Sequence, residues 1–170
     1  EGFVDETRRE FRMLVEERHP ELLEHVRAAD EARAFRGPGW AAAFCLALRR
    51  LMEHAYEIVA PIEAVRAWPI VVNVASDKNK KLKSQLLQPS GTPTTFARIL
   101  FATSSVDPMV DVSLPTFVGT DFNGVKRTLG LLNRHIHEFS VPVDEAALDL
   151  AQARAERYTL FVLRLPSKES

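Results

Sequence analysis

The sequence predicts an all-α fold, a compact helical bundle of about six to eight helices with long irregular loops in the middle of the chain. Apolar residues recur at spacings of three and four in several segments, which is the period of one helix face. The only strand-like run is IVVNV at residues 70–74, and an extended connector explains it equally well. Proline and glycine separate the periodic segments and so give the helices clear ends.

Residues 1–35 are expected to form the N-terminal helices. Phe11 and Val15 lie on the inner face of the first helix, which ends at His19-Pro20 because a residue before proline avoids the helical region. Residues 40–60 form the strongest predicted helix. It is apolar nearly all round at its start, as a central buried helix would be.

The middle of the chain is predicted to be less regular. Residues 88–95 read as a loop from which Thr94 or Thr95 caps a short helix. Residues 104–120 contain two prolines and no helical period, so they are expected to form a long irregular connection. Thr120 or Asp121 would then cap a helix over 124–139, and a last helix would follow from residue 144 to Pro166.

Composition narrows the class of protein. The 170 residues suffice for one well-filled core, so 1–170 is expected to be a single all-helical domain. Glu1 in place of an initiator Met suggests a trimmed chain or a domain of a longer protein. The lone Cys45 excludes a disulfide framework within the chain and favours a reducing, cytoplasmic setting. No apolar run approaches the roughly 20 residues that cross a bilayer, so no membrane contact is expected.

A formal net charge of −1 argues against a dedicated non-specific nucleic-acid binder, which is usually strongly basic. Contact with RNA would therefore need a local patch. The segment with Lys78, Lys80, Lys81 and Lys83 is one candidate, because cations near a helix start oppose the helix dipole. An ordinary solvated face is the alternative interpretation.

Two clusters of arginine and histidine carry the candidate chemistry. One is Asn133, Arg134 and His137, beside the predicted apolar stripe of Leu129, Leu132, Ile136 and Phe139. The other is Arg49, Arg50 and His54, where Arg50 and His54 share a face and Arg49 can pair with Glu53. A histidine can move a proton near neutral pH and an arginine can hold a phosphate, which suits metal-independent RNA cleavage. Helix capping and surface ion pairs are the alternative uses.

Motifs for other chemistries are missing from the sequence. It has no Gly-rich phosphate loop, no HExxH and no GxSxG. Its five histidines do not form a metal-ligand series, and His135 and His137 would point to different sides of a helix. No metal or cofactor is therefore expected.

The run from Arg49 to His54 reads R-x-x-x-x-H on a long helix. It resembles the Arg-x4–6-His signature of HEPN domains, many of which are ribonucleases of prokaryotic toxin–antitoxin and phage-defence systems. The resemblance covers roughly residues 40–165 and implies a homodimer with paired active sites, an RNA substrate and a possible cognate antitoxin or defence partner. Two departures stand out: Arg50 occupies a position where the family often has Asn, Asp or His, and Arg49 and His54 lie about 140° apart on an ideal helix.

Two functions follow from these observations. The first is a metal-independent endoribonuclease in which His54 and His137 act as acid and base. Arg49, Arg50 and Arg134 would bind phosphate, and Asn133 would orient a group. The second is a non-catalytic helical interaction or sensor module of a larger defence protein. Its partner surface would be the apolar residues Val106, Met109, Val110, Leu114, Phe117 and Val118.

Overall fold

The computed structural model describes residues 2–76, 78, 80–103, 114–138 and 140–165, and at positions 3 and 114–122 the backbone alone. Over these residues the chain forms nine α-helices, one 3₁₀ turn and no β-strand. The prediction of an all-α fold is confirmed. The helices group into two compact units, a first unit of Glu1–Ala55 with Asn123–Phe161 and a second unit of Tyr56–Phe122 with Val162–Ser170.

The helices follow one another with short breaks at most joins. Helix α1 covers Gly2–Arg18, a 3₁₀ turn covers Pro20–Leu22, α2 covers Leu23–Phe35 and α3 covers Trp40–Val59. They are followed by α4 at Ile62–Ala67, α5 at Pro69–Ala75, α6 at Lys80–Leu86, α7 at Thr95–Thr103, α8 at Leu114–His137 and α9 at Glu145–Leu163.

Side-chain caps account for two of the helix starts. The Thr94 hydroxyl accepts a hydrogen bond of 3.1 Å from the Ala97 amide at the start of α7. The Asp144 carboxylate accepts one of 3.1 Å from the Ala147 amide at the start of α9. Both satisfy a backbone N–H that has no partner within the helix, and both residues had been expected to begin these helices.

The run at residues 70–74 is not a strand or an extended connector, because it forms most of helix α5. Pro69 occupies the first turn, where the missing N–H of proline costs nothing. Val71 and Val74 are three residues apart and both lie buried in the core of the second unit. Burial of one helical face therefore outweighs the strand propensity of the valines.

Helix α8 begins before the predicted start at Thr120 or Asp121, so part of the expected irregular connection is helical. Pro115 is the second residue of the helix, a position that tolerates proline. The rest of that connection, residues 104–113, lies outside the described part of the chain, as does Phe139. So do Val106, Met109 and Val110, and nothing is described of the side chains of Leu114, Phe117 and Val118.

The buried face of α8 is rotated from the predicted one. The buried positions are Val125, Thr128, Leu132 and His135. Leu129 and Ile136, which had been placed in the stripe, are only half-buried. The reason lies at Gly124, where a Cβ atom would clash with the Tyr158 hydroxyl of α9. This close approach of α9 decides which side of α8 is covered.

Polar contacts tie the helices of the first unit together around its apolar core. The Glu156 side chain of α9 is almost fully buried, and Arg8 of α1 pairs with it at 2.8 Å. Arg12 of α1 forms two hydrogen bonds of 2.9 Å with the Asp30 carboxylate of α2. Arg33 of α2 forms an ion pair with Asp149 of α9.

The second unit has its own apolar core. Its buried residues are Ala60, Val65, Val71, Val74, Leu86, Leu87, Ala97, Phe101 and Ala102. The rings of Trp68 and Phe101 meet edge to face with centroids 5.6 Å apart. Over the residues that the structure covers, none of the helices combines the length and apolar character needed to span a membrane.

Replacing Glu156 with Gln should destabilise the protein. The change keeps the shape but removes the charge that neutralises Arg8, whose own side chain is 34% exposed. We expect the free energy of unfolding to fall by about 1–3 kcal/mol, as for hydrogen bonds to charged groups. Chemical denaturation measures it. The control is Glu53→Gln, which breaks an exposed pair with Arg49 and should cost at most about 0.5 kcal/mol. Equal effects of the two changes would contradict the structural role of Glu156.

Replacing Gly124 with Ala should also destabilise the protein, by about 1–3 kcal/mol, because the added methyl group meets the Tyr158 hydroxyl. In a Tyr158→Phe background the nearest atom, Cζ, would be 3.3 Å away, so most of the loss should disappear. Gly130→Ala is the matched control on the same helix. It has open space and should gain about 0.5–1 kcal/mol. If the two alanines behave alike in thermal unfolding, Tyr158 does not pack on Gly124.

Candidate functional site

Two histidines from neighbouring helices meet in the first unit. Nε2 of His25, on α2, lies 3.2 Å from Nδ1 of His54, on α3. Their rings approach edge to face with centroids 5.4 Å apart. Because both nitrogens are within hydrogen-bond distance, one ring donates and the other accepts, which couples their tautomers. Both side chains are half-buried, so each stays within reach of solvent.

The environment of His25 favours its neutral form. Burial lowers the pKa of His25 below its usual 6.5, the nearby Glu24 carboxylate opposes this, and His54 and Arg50 lower the pKa further. The Glu24 carboxylate lies 3.6 Å from Nε2 of His25. A neutral imidazole beside a second imidazole and a guanidinium can accept a proton near neutral pH.

The arginines of α3 differ in their partners. Arg49 donates a hydrogen bond of 2.8 Å to Glu53, as its spacing predicts, and another of 3.1 Å to the Asn133 side chain of α8. Arg50 is exposed, and none of the carboxylates in the described part of the chain forms an ion pair with it. Arg49 is therefore held in place, whereas Arg50 is available to an anionic ligand.

The α8 cluster is only partly assembled. Asn133 is the residue of this cluster that the structure brings to the α3 cluster, through Arg49. Arg134 lies 3.4 Å from the Glu138 carboxylate and is exposed. His137 is exposed, and its side chain makes no hydrogen bond or ion pair with any residue that the structure describes. His135, which had been expected on another side of α8, is buried.

The lysine segment lies in the second unit. Lys80 and Lys83 line an open groove of about 1080 Å³, and the Lys83 ammonium donates to the Ala75 carbonyl at 3.0 Å. Lys78 and Lys81 are exposed and do not line the groove. Of the four lysines, only Lys80 and Lys83 therefore contribute to the groove.

One other reactive group can be placed, the thiol of Cys45. Cys45 is fully buried, and burial raises the pKa of its thiol to about 12, so the thiol stays protonated. Among the described residues, no three His, Cys, Asp or Glu side chains are grouped as a metal site.

The sequence did not reveal His25 as a candidate site residue. It lies one residue before Val26 and three after Leu22, both buried, and such a position is typical of the edge of a packed helix face. Its partner His54 is 29 residues away on another helix. A periodic pattern places each histidine on its own helix but cannot pair two helices.

Comparison with protein-family models, with curated proteins and with solved structures finds no match to this chain.

The pKa of His25 can be measured by NMR titration of its ring protons. We expect a midpoint below 6.5, because burial penalises the charged ring. Arg50→Ala should raise this midpoint by removing a positive charge, whereas Arg49→Ala should leave it unchanged. The unfolded chain binds the proton more tightly than the folded one, so stability should fall as pH drops through about 6.5 and level off below the folded pKa. A midpoint above 6.5 would contradict this environment.

Proposed function

We propose that this protein is a metal-independent endoribonuclease of the kind found in bacterial toxin and phage-defence systems. The observation that carries the proposal is the contact of 3.2 Å between the imidazoles of His25 and His54, together with the charge of Arg50, which acts on His25 and pairs with no carboxylate among the described residues. Proton transfer and phosphate binding are the two functions that metal-independent RNA cleavage requires of side chains. The resemblance of the segment from Arg49 to His54 to HEPN domains supports the same function.

His54 is assigned the proton transfer at the 2′-hydroxyl of the ribose. Its Nδ1 is occupied by His25, which leaves Nε2 for the substrate. Nε2 takes the hydroxyl proton, the 2′-oxygen attacks the adjacent phosphorus, and the bond from phosphorus to the 5′-oxygen breaks. The products are a 2′,3′-cyclic phosphate and a 5′-hydroxyl, and no co-reactant is consumed. His25 acts as a positioning residue, because it fixes the tautomer of His54.

Arg50 is assigned the binding of the phosphate. A guanidinium can donate two parallel hydrogen bonds to phosphate oxygens and keeps its charge at every physiological pH. Arg49 and Arg134 had been considered for the same role, but each already lies beside a carboxylate. In the present proposal Arg49 positions Asn133, and Arg134 contributes only if its pair with Glu138 opens.

The leaving 5′-oxygen needs a proton from a second group. His137 remains the candidate that the sequence suggests, and its exposed position on α8 leaves it free to meet a substrate. The HEPN resemblance would also allow this proton to come from the second protomer of a homodimer. Lys78, Lys80, Lys81 and Lys83 had been expected to guide RNA, but the cleavage proposal does not depend on them.

A non-catalytic helical interaction or sensor module is the second candidate function. The observation that favours it is the pairing of Arg49 with Glu53 and of Arg134 with Glu138. Arginines paired with carboxylates are typical of an ordinary protein surface and are less available to a phosphate. Such a protein would bind its partner, or RNA, without changing it.

The test is cleavage of a long single-stranded RNA by the whole protein in the presence of EDTA. We expect the wild type to cleave and His54→Ala to lose at least about 100-fold in rate, the usual contribution of an acid or base. Arg50→Ala should lose a comparable factor, and the product ends should be cyclic phosphates. His25→Gln should cost less and should move the acidic limb of the pH–rate profile.

His19→Ala is the matched control, because His19 lies in the 3₁₀ region beside Glu21 and has no part in the proposed chemistry. His137→Ala tests the second proton transfer. Full activity of a variant that lacks both His54 and His137 would disprove the proposed site. If folded wild type leaves RNA intact at every pH, the interaction-module function replaces it.

A further inference from the structure

The second unit contains an open groove that the proposed cleavage does not use. It has a volume of about 1080 Å³ and lies among α4, α5, α6 and the loop that follows α6. Val72 and Ala75 of α5 line it, Lys80 and Lys83 of α6 line it, and residues 88–91 form the loop side. Its volume and open shape suit a segment of another chain better than a small molecule, whose sites are more enclosed.

The loop side of the groove is well ordered by hydrogen bonds. The Gln88 amide donates to the Thr92 carbonyl at 2.8 Å, and the Gly91 amide donates to the Gln88 carbonyl at 2.8 Å. Gly91 has φ of +79°, a conformation that glycine adopts without strain. The Thr94 hydroxyl anchors the other end through a bond of 2.6 Å to the Gln85 carbonyl. These bonds hold the loop side of the groove in one conformation, and a wall held in this way lowers the entropic cost of binding.

The charges at the groove are of one sign. Arg66, Lys80 and Lys83 contribute to its lining, and none of the described lining residues is a carboxylate. Lys83 is held by the Ala75 carbonyl, and Arg66 lies 2.9 Å from Glu63. Lys80 is exposed and makes no ion pair with any residue that the structure describes. The ligand should therefore carry negative charge where it meets Lys80.

The floor of the groove is apolar. Val72 lines it and is 52% exposed, so its side chain offers apolar surface to a ligand in the groove. Val71 and Leu87 lie deeper and are buried. Among the described lining residues there is no aromatic ring on which a nucleotide base could stack. An apolar floor with a basic edge fits an amphipathic peptide better than a strand of RNA.

We propose that this groove binds a short amphipathic helix of a partner protein, with an apolar stripe against Val72 and Ala75 and with Asp or Glu residues beside Lys80. This mode of recognition places the apolar face of a helix in a preformed groove and uses charges at the rim to select the partner. The binding site is independent of the proposed cleavage, since it involves none of the residues assigned to the cleavage step, and Lys80 and Lys83, once expected to guide RNA, are not needed for that step.

The experiment uses the whole protein and fluorescence anisotropy with three labelled probes. The first is a synthetic helix of about 16 residues, long enough for four turns, with a Leu stripe flanked by Glu. The second is the same helix with Lys in place of each Glu. The third is a single-stranded RNA of the same net charge as the first. We expect saturable binding of the Glu helix and at least about tenfold weaker binding of the Lys helix and of the RNA.

Variants locate the binding surface. Lys80→Glu should weaken binding of the Glu helix at least about fivefold, and Val72→Ser should weaken it by a similar factor. Lys81→Glu is the matched control, because Lys81 lies on the same helix, is also exposed and does not line the groove. Lys83 is left unchanged because it also holds the end of α5. His54→Ala should have no effect on peptide binding, which separates this result from the outcome of the cleavage assay.

Three results would overturn the proposal. One is equal weakening by Lys80→Glu and Lys81→Glu, which would indicate general charge attraction. Another is binding of the Glu helix that does not change in Val72→Ser. The third is tighter binding of the RNA than of the Glu helix with dependence on Lys80, which would identify the groove as an RNA site instead.

Discussion

The carboxylate of Glu156 is buried in the middle of α9 and has to be neutralised by groups from other helices. Arg8 of α1 supplies a charge at 2.8 Å, and the Gln152 side chain, one turn away on α9, donates to the other oxygen at 3.1 Å. Gln152 in turn accepts a hydrogen bond of 3.4 Å from Arg33 of α2, which also pairs with Asp149. A buried charge that loses such partners costs several kcal/mol, so this chain of contacts fixes α1 and α2 on α9.

The position of α2 matters for the candidate site because α2 carries His25. Arg33, two turns further along the same helix, is held by α9 and also lies over the Phe44 ring of α3, with 5.5 Å between its Cζ atom and the ring centre. Arg36 ends α2 in a left-handed conformation and forms two hydrogen bonds with Glu145. The ion pairs hold α2 on α9, and the contact of Arg33 with Phe44 joins α2 to α3, the two helices whose imidazoles meet at His25 and His54.

Features within one helix, such as caps and apolar periodicity, predicted the all-α fold. The contacts between helices could not be predicted from the sequence. The capping residues Thr94 and Asp144 predicted the starts of α7 and α9, because a capping residue acts within one turn of its own chain. The predicted start of α8 and the predicted strand or connector in place of α5 were wrong, because both depend on contacts with residues far away in the chain. Burial of Val71 and Val74 outweighed the strand propensity of residues 70–74, and the covered face of α8 follows the approach of Tyr158 to Gly124 from another helix.

In the candidate site, too, contacts within one helix could be predicted, whereas contacts between helices could not. Pairing of Arg49 with Glu53 follows from a spacing of four on one helix. Glu53 is also three positions after Arg50, so the spacing alone could not decide which arginine it pairs with. A protein with a net charge close to zero can still present a local positive site, and Arg50, which pairs with no carboxylate among the described residues, is such a site four residues before His54.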